Sequence, residues 1–258
     1  MLKGIYNHNT SKMGYEYNEL MSAAKRMNIK LVEPWTIKKD TYDQYDFTLN
    51  RSYLANNLKY QTHQQFNRMI DGIFWKNKEN QLKYLETYCS KPLTLYGKQT
   101  FNSCKEYLGF PFIAKRSISS QGKGVFLIKS DDDFNRATDC DIYQEVIWES
   151  MGQDLRVWVL GGHIIGVMNR QNENSFKANI HQGGEGHIYN VDSTIELCAR
   201  SIYKQTGLTM MGIDLLFGNG EYYFCELNVN PGFKGFDDCF NIKTGELILE
   251  YVRNQVNV

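Results

Sequence analysis

The stretch GIDLLFGNGEYYFCELNVNPG, from Gly212 to Gly232, sets Asp214, Glu226 and Asn228 into two runs that otherwise read as buried strand. MGIDLLF and YYFCELN, separated around Asn219-Gly220, have the composition and turn chemistry of a β-hairpin. Strand side chains alternate, so Tyr222, Phe224, Glu226 and Asn228 are expected on one face and Tyr223, Cys225, Leu227 and Val229 on the other. A three-residue loop at Asn219 to Glu221 would set Asp214 opposite Glu226, with Cβ atoms about 5 Å apart. A two-residue loop at Asn219-Gly220 would set it opposite Cys225 instead. In the first register two carboxylates repel unless a cation or proton lies between them, and the neighbouring amide oxygen adds a third hard ligand, the donor set of a Mg²⁺ site. The alternative is a surface hairpin with solvated acids; the apolar opposite face and the abrupt NPG stop weigh against it. Cys225, on the face away from the acids, is expected to pack.

The 258 residues, 42% of them hydrophobic, are enough for a real core. Lysine and arginine equal aspartate and glutamate at 29 each, so no global field points to nucleic acid or an anionic membrane, and a charged ligand must be held by a local cluster. The six cysteines form no CxxC pair, which favours reduced thiols over zinc or a disulfide framework. No apolar run approaches the roughly 20 residues of a membrane span. A soluble, cytoplasmic protein is expected.

Along the chain, LKGIY reads as a strand, Tyr15 to Met27 as a helix with a Leu20, Ala23, Ala24, Met27 stripe, and IKLVEP and YDFTLN as two more strands. This β-α-β opening lacks GxGxxG, so a dinucleotide site there is not expected. Asp71 to Tyr88 is expected to be helical in its second half, KPLTLYG to be strand or loop, and TFNSCKEYLG to be a helix. FPFIAKRSISSQGKGVFLIKS reads as strand, glycine-containing loop, strand, and DIYQEVI as a further strand. DLRVWVLGGHIIGVMNRQ reads as a hairpin turning at Gly161-Gly162; STIELCARSIYKQTG and TGELILEYVRNQ read as helices. The sum is an α+β fold whose antiparallel sheets carry the motifs.

In KRSISSQGKGVFLI the loop has the composition to fold backbone N–H groups over phosphates beside Lys115; it is not a P-loop, and a plain hairpin turn is the competing reading. Glu145, Val146 and Ile147 follow a strand, where backbone groups between apolar walls suit a planar base. Arg156 and Arg170 enter strands near the carboxylates, as structural ion pairs or as a fork for a carboxylate or phosphoryl group. KANIHQGG adds Lys177, Asn179 and His181.

In order, AKRSISSQGKGV, YQEVI, QDLRVWVLGGHIIGVMNR, KANIHQGG, MGIDLL and ELNVNPG resemble the ATP-grasp superfamily, most closely its RimK-like carboxylate–amine ligases, over roughly Lys76 to Phe236. The resemblance implies a short pre-ATP-grasp α/β domain at 1–75, a central subdomain at 76–150 and a C-terminal subdomain with the metal site at 151–258. It implies ATP held by Lys78 (or else Lys76), Lys115, Gln121, Gly122, Gly124, Glu145, Val146, Ile147 and Asp154. Asp214, Glu226 and Asn228 correspond to the family's Mg²⁺ ligands, for two ions with Mn²⁺ as a possible substitute. Arg156, Arg170 and Asn179 correspond to the cluster around the γ-phosphate and the attacking carboxylate.

The implied activity is amide or peptide bond formation through an acyl phosphate, releasing ADP and phosphate, from a carboxylate-bearing amino acid or peptide and an amine. Neither nucleic acid nor membrane is an implied partner, and an oligomer is compatible. A kinase-type ATP-grasp phosphotransferase and a non-catalytic ATP-binding sensor or scaffold are the alternatives. The family's NxHRGG arginine is Gln182 here, which bears on substrate preference more than on ATP chemistry, and Arg51 at a strand end is a candidate to reach the substrate.

Overall fold

The computed structural model describes residues 1–8, 14–38, 41–54, 57–119, 122–178 and 184–256. Strand β1 (Lys3–Asn7), helix α1 (Tyr15–Arg26), β2 (Lys30–Val32), β3 (Phe47–Asn50) and the short β4 (Gln65–Phe66) build a parallel sheet in the order β2-β1-β3-β4. The expected stripe of α1 is the face it buries, with Leu20, Ala23 and Ala24 inaccessible to solvent.

Helices α2 (Met69–Trp75) and α3 (Lys78–Tyr84) follow. Helix therefore fills most of the first half of the 71–88 region as well as the start of the second, and ends at Tyr84. The break falls where the Asn77 side chain accepts hydrogen bonds from the backbone of Glu79 (2.8 Å) and Asn80 (3.3 Å), an N-cap that starts a new helix.

A second sheet, antiparallel, has the order β5-β8-β6-β7 and is made of β5 (Thr94–Tyr96), β6 (Phe112–Lys115), β7 (Val125–Ile128) and β8 (Ile142–Glu145). Helices α4 (Phe101–Leu108) and α5 (Asp131–Arg136) cover it. The third sheet takes β9 (Gln153–Leu160), β10 (His163–Gln171), β11 (Glu185–Tyr189), β12 (Met210–Gly218) and β13 (Glu221–Asn228) in the order β11-β10-β9-β12-β13. Helix α6 (Ser193–Thr206) precedes β12 and ends on Gly207 in the left-handed region (φ 61°); α7 (Lys234–Phe240) and α8 (Thr244–Val256) complete the described chain.

This third sheet is covered on both faces. Leu155, Val157, Val159, Met211, Ile213 and Leu215 point to α6 and to the α2–α3 pair, through Ile195, Ile202, Met69, Trp75 and Leu82. On the other face Trp158, Leu160, Met168 and Met210 join Phe233, Phe236, Ile248 and Val252 with Tyr6, Leu20 and Phe47, so the first sheet and the last two helices share one core. Following that second face along β9, Leu160 and Trp158 give way to Arg156 and Asp154. The change from apolar to charged marks where the core stops and a cleft begins.

Candidate active site

The hairpin β12–β13 settles the register left open above. Its loop has two residues, Asn219 and Gly220, both left-handed (φ 54° and 76°) between the paired Gly218 and Glu221. A strict count from that turn would place Asp214 opposite Cys225. Instead Leu215 pairs with Phe224 and Asp214 with Glu226, so Cys225 is the extra residue of a β-bulge. The bulge breaks the alternation once. Phe224, Leu227 and Val229 enter the core, and Cys225, Glu226 and Asn228 turn to the opposite face. The shared face expected for Glu226 and Asn228 is found, but Phe224 is not on it, and Cys225 lies beside the acids rather than away from them. A bulge cannot be read from a period-two count.

Four neighbouring strands bring a row of charge to this face. Arg170 on β10 pairs in register with Asp154 on β9, and Arg156 on β9 pairs with Asp214 on β12, which in turn faces Glu226 on β13. Arg170 grips Asp154 through two hydrogen bonds of 2.6 Å and reaches the Asp214 Oδ2 at 3.0 Å. Arg156 holds Asp214 through Nε and, at 2.8 Å, through Nη2. Burial would raise the Asp214 carboxyl, but the two guanidiniums outweigh it and hold the group below the ordinary carboxylate range. For Asp154 burial dominates and the carboxyl is raised, with Arg170 opposing.

Asn228 donates to Asp214 Oδ2 (3.1 Å) and Glu226 Oε1 (3.2 Å), so its amide lies within reach of both carboxylates. A half turn about its last side-chain bond presents the oxygen in place of the nitrogen. Glu226, its side chain 27% exposed, also meets Lys78 Nζ at 3.4 Å. Among the described residues no group of three or more His, Cys, Asp or Glu side chains gathers as a metal cage. Two carboxylates and one amide on the wall of an open cleft nevertheless fit a hard cation that completes its shell with water and phosphate.

The cleft runs between the second and third sheets, with a volume of about 880 Å³ including solvent at its mouth. That lies within the roughly 300–1,000 Å³ of small-molecule sites. Lys115, at the end of β6, lines it with its ammonium 3.8 Å from Cys225 Sγ. Lys78 lines it from the first turn of α3 and donates to the Ser119 carbonyl at 2.8 Å, whereas Lys76 is exposed. Glu145, Val146 and Ile147 lie at the cleft between the two sheets, and Glu145 exchanges hydrogen bonds with the Leu93 backbone at 2.8 and 3.1 Å. Gly122 lines the cleft; Gly124 is pressed against Ser119, where an added Cβ would lie 2.5 Å from the Ser119 Cβ. Gln121 and Asn179 lie outside the described residues, as do His181 and Gln182.

Three side chains stand where the sequence reading did not put them. Lys177 crosses the cleft to donate to the Gly122 carbonyl at 2.7 Å, and burial lowers its pKa; its nearness to Asn179 was the available signal. Cys225 lines the cleft, and burial pushes its thiol up to about 11 against the pull of Lys115. Arg51 is buried, donates to the Pro231 carbonyl at 2.8 Å and stacks over Phe233, 5.0 Å from the ring centre. It braces the NPG turn rather than reaching into the cleft.

Comparison with known proteins places this architecture. The chain aligns along 99% of its length, and 97% of the other, with a RiPP-associated ATP-grasp ligase from Chryseobacterium gregarium solved with ADP and a leader and core peptide (TM-score 0.75, 13% identity). A similar match, over 98% and 97% of the two chains, is to the ATP-grasp ligase PsnB complexed with minimal precursor, Mg and ADP (TM-score 0.73, 14% identity). At such identities the likeness is one of fold, and the fold is ATP-grasp. Residues 89–252 match the model of the RimK-like ATP-grasp domain, and the chain belongs to that family. Among curated proteins it is 32% identical over 155 residues to a probable alpha-L-glutamate ligase of Legionella pneumophila, covering 57% of this chain and 51% of the relative. The chain thus spans about half the length of the curated relatives it matches. Among the described residues no helix is long and apolar enough to cross a membrane.

Proposed function

We propose that the protein is an ATP-dependent carboxylate–amine ligase, forming an amide or peptide bond through an acyl phosphate with release of ADP and phosphate. The observation that carries this reading is the row of Arg170, Asp154, Arg156, Asp214 and Glu226 across four strands, whose three carboxylates line a cleft together with Lys78 and Lys115, with the two guanidiniums paired behind them. Such a site brings fixed positive charge to a polyphosphate and keeps carboxylates for the cation that accompanies it. The named function of the curated relatives, glutamate ligation, is of the same chemical class.

In this reading Lys78 and Lys115 bind the phosphates together with Gln121, Gly122 and Gly124, and Asp154 orients Arg170. Glu145, Val146 and Ile147 hold the adenine. Asp214, Glu226 and Asn228 are the residues that hold Mg²⁺, as one ion or two, with Mn²⁺ able to replace it; the ion supplies charge neutralisation at the transferred phosphoryl group. Arg156, Arg170 and Asn179 face the γ-phosphate. An oxygen of the substrate carboxylate attacks that phosphorus and ADP leaves. The amine then adds to the acyl carbon, loses its proton and expels phosphate.

The chain divides in this reading into a pre-ATP-grasp domain, 1–75, and two subdomains, 76–150 and 151–258. The acid and amine are an amino acid or peptide pair, and the setting is the cytoplasm. The test is product analysis with Mg-ATP and pooled amino acids and short peptides. ADP and phosphate that rise only with both an acid and an amine present support the ligase. AMP and pyrophosphate overturn it, and a phosphorylated acid that accumulates without any amine step moves the reading to a phosphotransferase.

A further inference from the structure

Among the described residues β13 is an edge strand of its sheet, and it carries two of the three proposed metal ligands. Near the hairpin its outward backbone is paired by Ser90, whose N–H donates to the Tyr222 carbonyl (3.0 Å) and whose carbonyl accepts from Phe224 N–H (2.7 Å). A regular strand would present its next outward backbone at Glu226. The bulge moves it on by one, to Leu227, and there the partner is a side chain. Leu227 N–H donates to Gln81 Oε1 at 2.8 Å, and the Leu227 carbonyl accepts from Gln81 Nε2 at 2.8 Å.

The Gln81 amide thus meets Leu227 as a neighbouring strand would. Its orientation is fixed, because its oxygen faces an N–H and its nitrogen faces two carbonyls, that of Leu227 and that of Trp75 at 2.6 Å. It is 2% exposed, so no water competes. Leu227 is the residue between Glu226 and Asn228. One turn earlier on α3, Lys78 meets Glu226 itself.

We propose that Gln81 is a positioning residue for the metal ligands: it pins the bulged register of β13, so that Glu226 and Asn228 both turn towards Asp214. A one-residue slip of a strand carries its side chains to the other face, and the unpaired residue of a bulge leaves the ladder locally disrupted. This proposal rests on the metal assignment made above and concerns only how that site is held in shape.

The test reads binding rather than turnover. Affinity for a fluorescent ATP analogue is measured across a Mg²⁺ titration, with bound Mn²⁺ followed by electron paramagnetic resonance, in the full chain and in Gln81→Met, which keeps the volume and removes all three hydrogen bonds. The variant is expected to need about tenfold more Mg²⁺ for half effect and to bind Mn²⁺ correspondingly weakly, as for loss of an outer-shell partner. Its metal-free nucleotide affinity should stay within about twofold, since Gln81 touches no nucleotide group in this reading. Gln81→Glu, which keeps the size and the acceptor for Leu227 N–H, should give a smaller shift and carries the same test if the methionine variant does not fold. A lower melting temperature with unchanged Mg²⁺ and Mn²⁺ dependence overturns the proposal and leaves Gln81 a packing residue. Failure of the metal reading is distinct: there the wild-type protein binds the analogue independently of Mg²⁺, and Glu226→Gln changes nothing.

Discussion

Asp214 and Glu226 face each other across β12 and β13 because Cys225 is left without a partner between them and the hairpin turn. The pairing therefore depends on a backbone irregularity and on side chains that hold it, rather than on the turn. Around it, two guanidiniums and one ammonium compensate two carboxylates at contact distance. That balance is what most of the expected outcomes below disturb.

Replacing Glu226 by glutamine removes one proposed ligand and keeps the shape. Mg²⁺-dependent turnover should fall by about 100-fold or more, in line with the charge stabilisation a metal provides. The pair joins a buried ammonium to a part-exposed carboxylate, and the glutamine oxygen can still accept from Lys78, so stability should change by about 1 kcal/mol. Steady-state kinetics with a parallel thermal melt checks both, and near-normal turnover would remove Glu226 from the metal site.

Arg170→Ala strips the buried Asp154 carboxyl of its guanidinium partner, which should cost about 3–5 kcal/mol. Pairing it with Asp154→Leu should restore most of that stability, since neither buried charge then stands alone. Denaturant melts of the single and double variants measure this. If the double variant also recovers activity, Arg170 is structural only.

The pH dependence has a definite sign. Asp214 has its carboxyl held below its ordinary value of 3.8, so its ion pairs stabilise the fold above that value and the contribution is lost as pH falls from about 3.8 through the lower folded-state value. Asp214→Asn should therefore be less stable than wild type at pH 7, by about 3–5 kcal/mol for a broken buried pair, with the gap narrowing below pH about 4. Melts at pH 7 and in the acid limb test it; a gap that widens on acidification contradicts the assignment.

The Cys225 thiol, pushed up to about 11, stays protonated at neutral pH and is a poor nucleophile. Alkylation at pH 7.5 should be slow, and slower still with Mg-ATP in the cleft that Cys225 lines. Mass spectrometry of labelled protein reads the rate. Labelling unaffected by nucleotide would separate this cysteine from the ATP cleft.

Gly220→Ala probes the turn without touching the cleft. At φ 76° an alanine should cost about 1–2 kcal/mol. The Mg²⁺ requirement should not move, because the bulge and Gln81, rather than the turn, hold the acidic pair in place.

Periodicity and end signals made much of this legible beforehand. The α1 stripe, the Gly161-Gly162 turn, Gly207 after α6 and the two strands around Asn219-Gly220 all stand where their residue types put them. Asp214, Glu226 and Asn228 stand out in the sequence because acidic and amide side chains are out of place in an apolar strand. A period-two count sets Cys225 on the wrong face because a bulge has no compositional mark. The α2–α3 break has no mark of its own in the sequence, because an asparagine caps a helix only where the backbone before it turns extended, as at Asn77. Gln81 carries no signal of its own, and the sequence marks Arg51 and Lys177 without their partners; those partners lie 146, 180 and 55 residues away in the chain.

The segment that follows Asn228 is fastened from far upstream. Tyr53 and Asn67 donate to the Val229 carbonyl, Arg51 to that of Pro231, and Glu16 accepts from Phe233 N–H, while Arg26 joins Glu246 across 220 residues. On a ribosome, the opening sheet must wait with its apolar face uncovered until α8 emerges, and the acidic hairpin gains its final anchors from chain made long before it. Assembly of the site is thus an event of the whole chain, and a fragment cut to the family domain alone, 89–252, should hold neither the shape of the cleft nor the facing of Asp214 and Glu226.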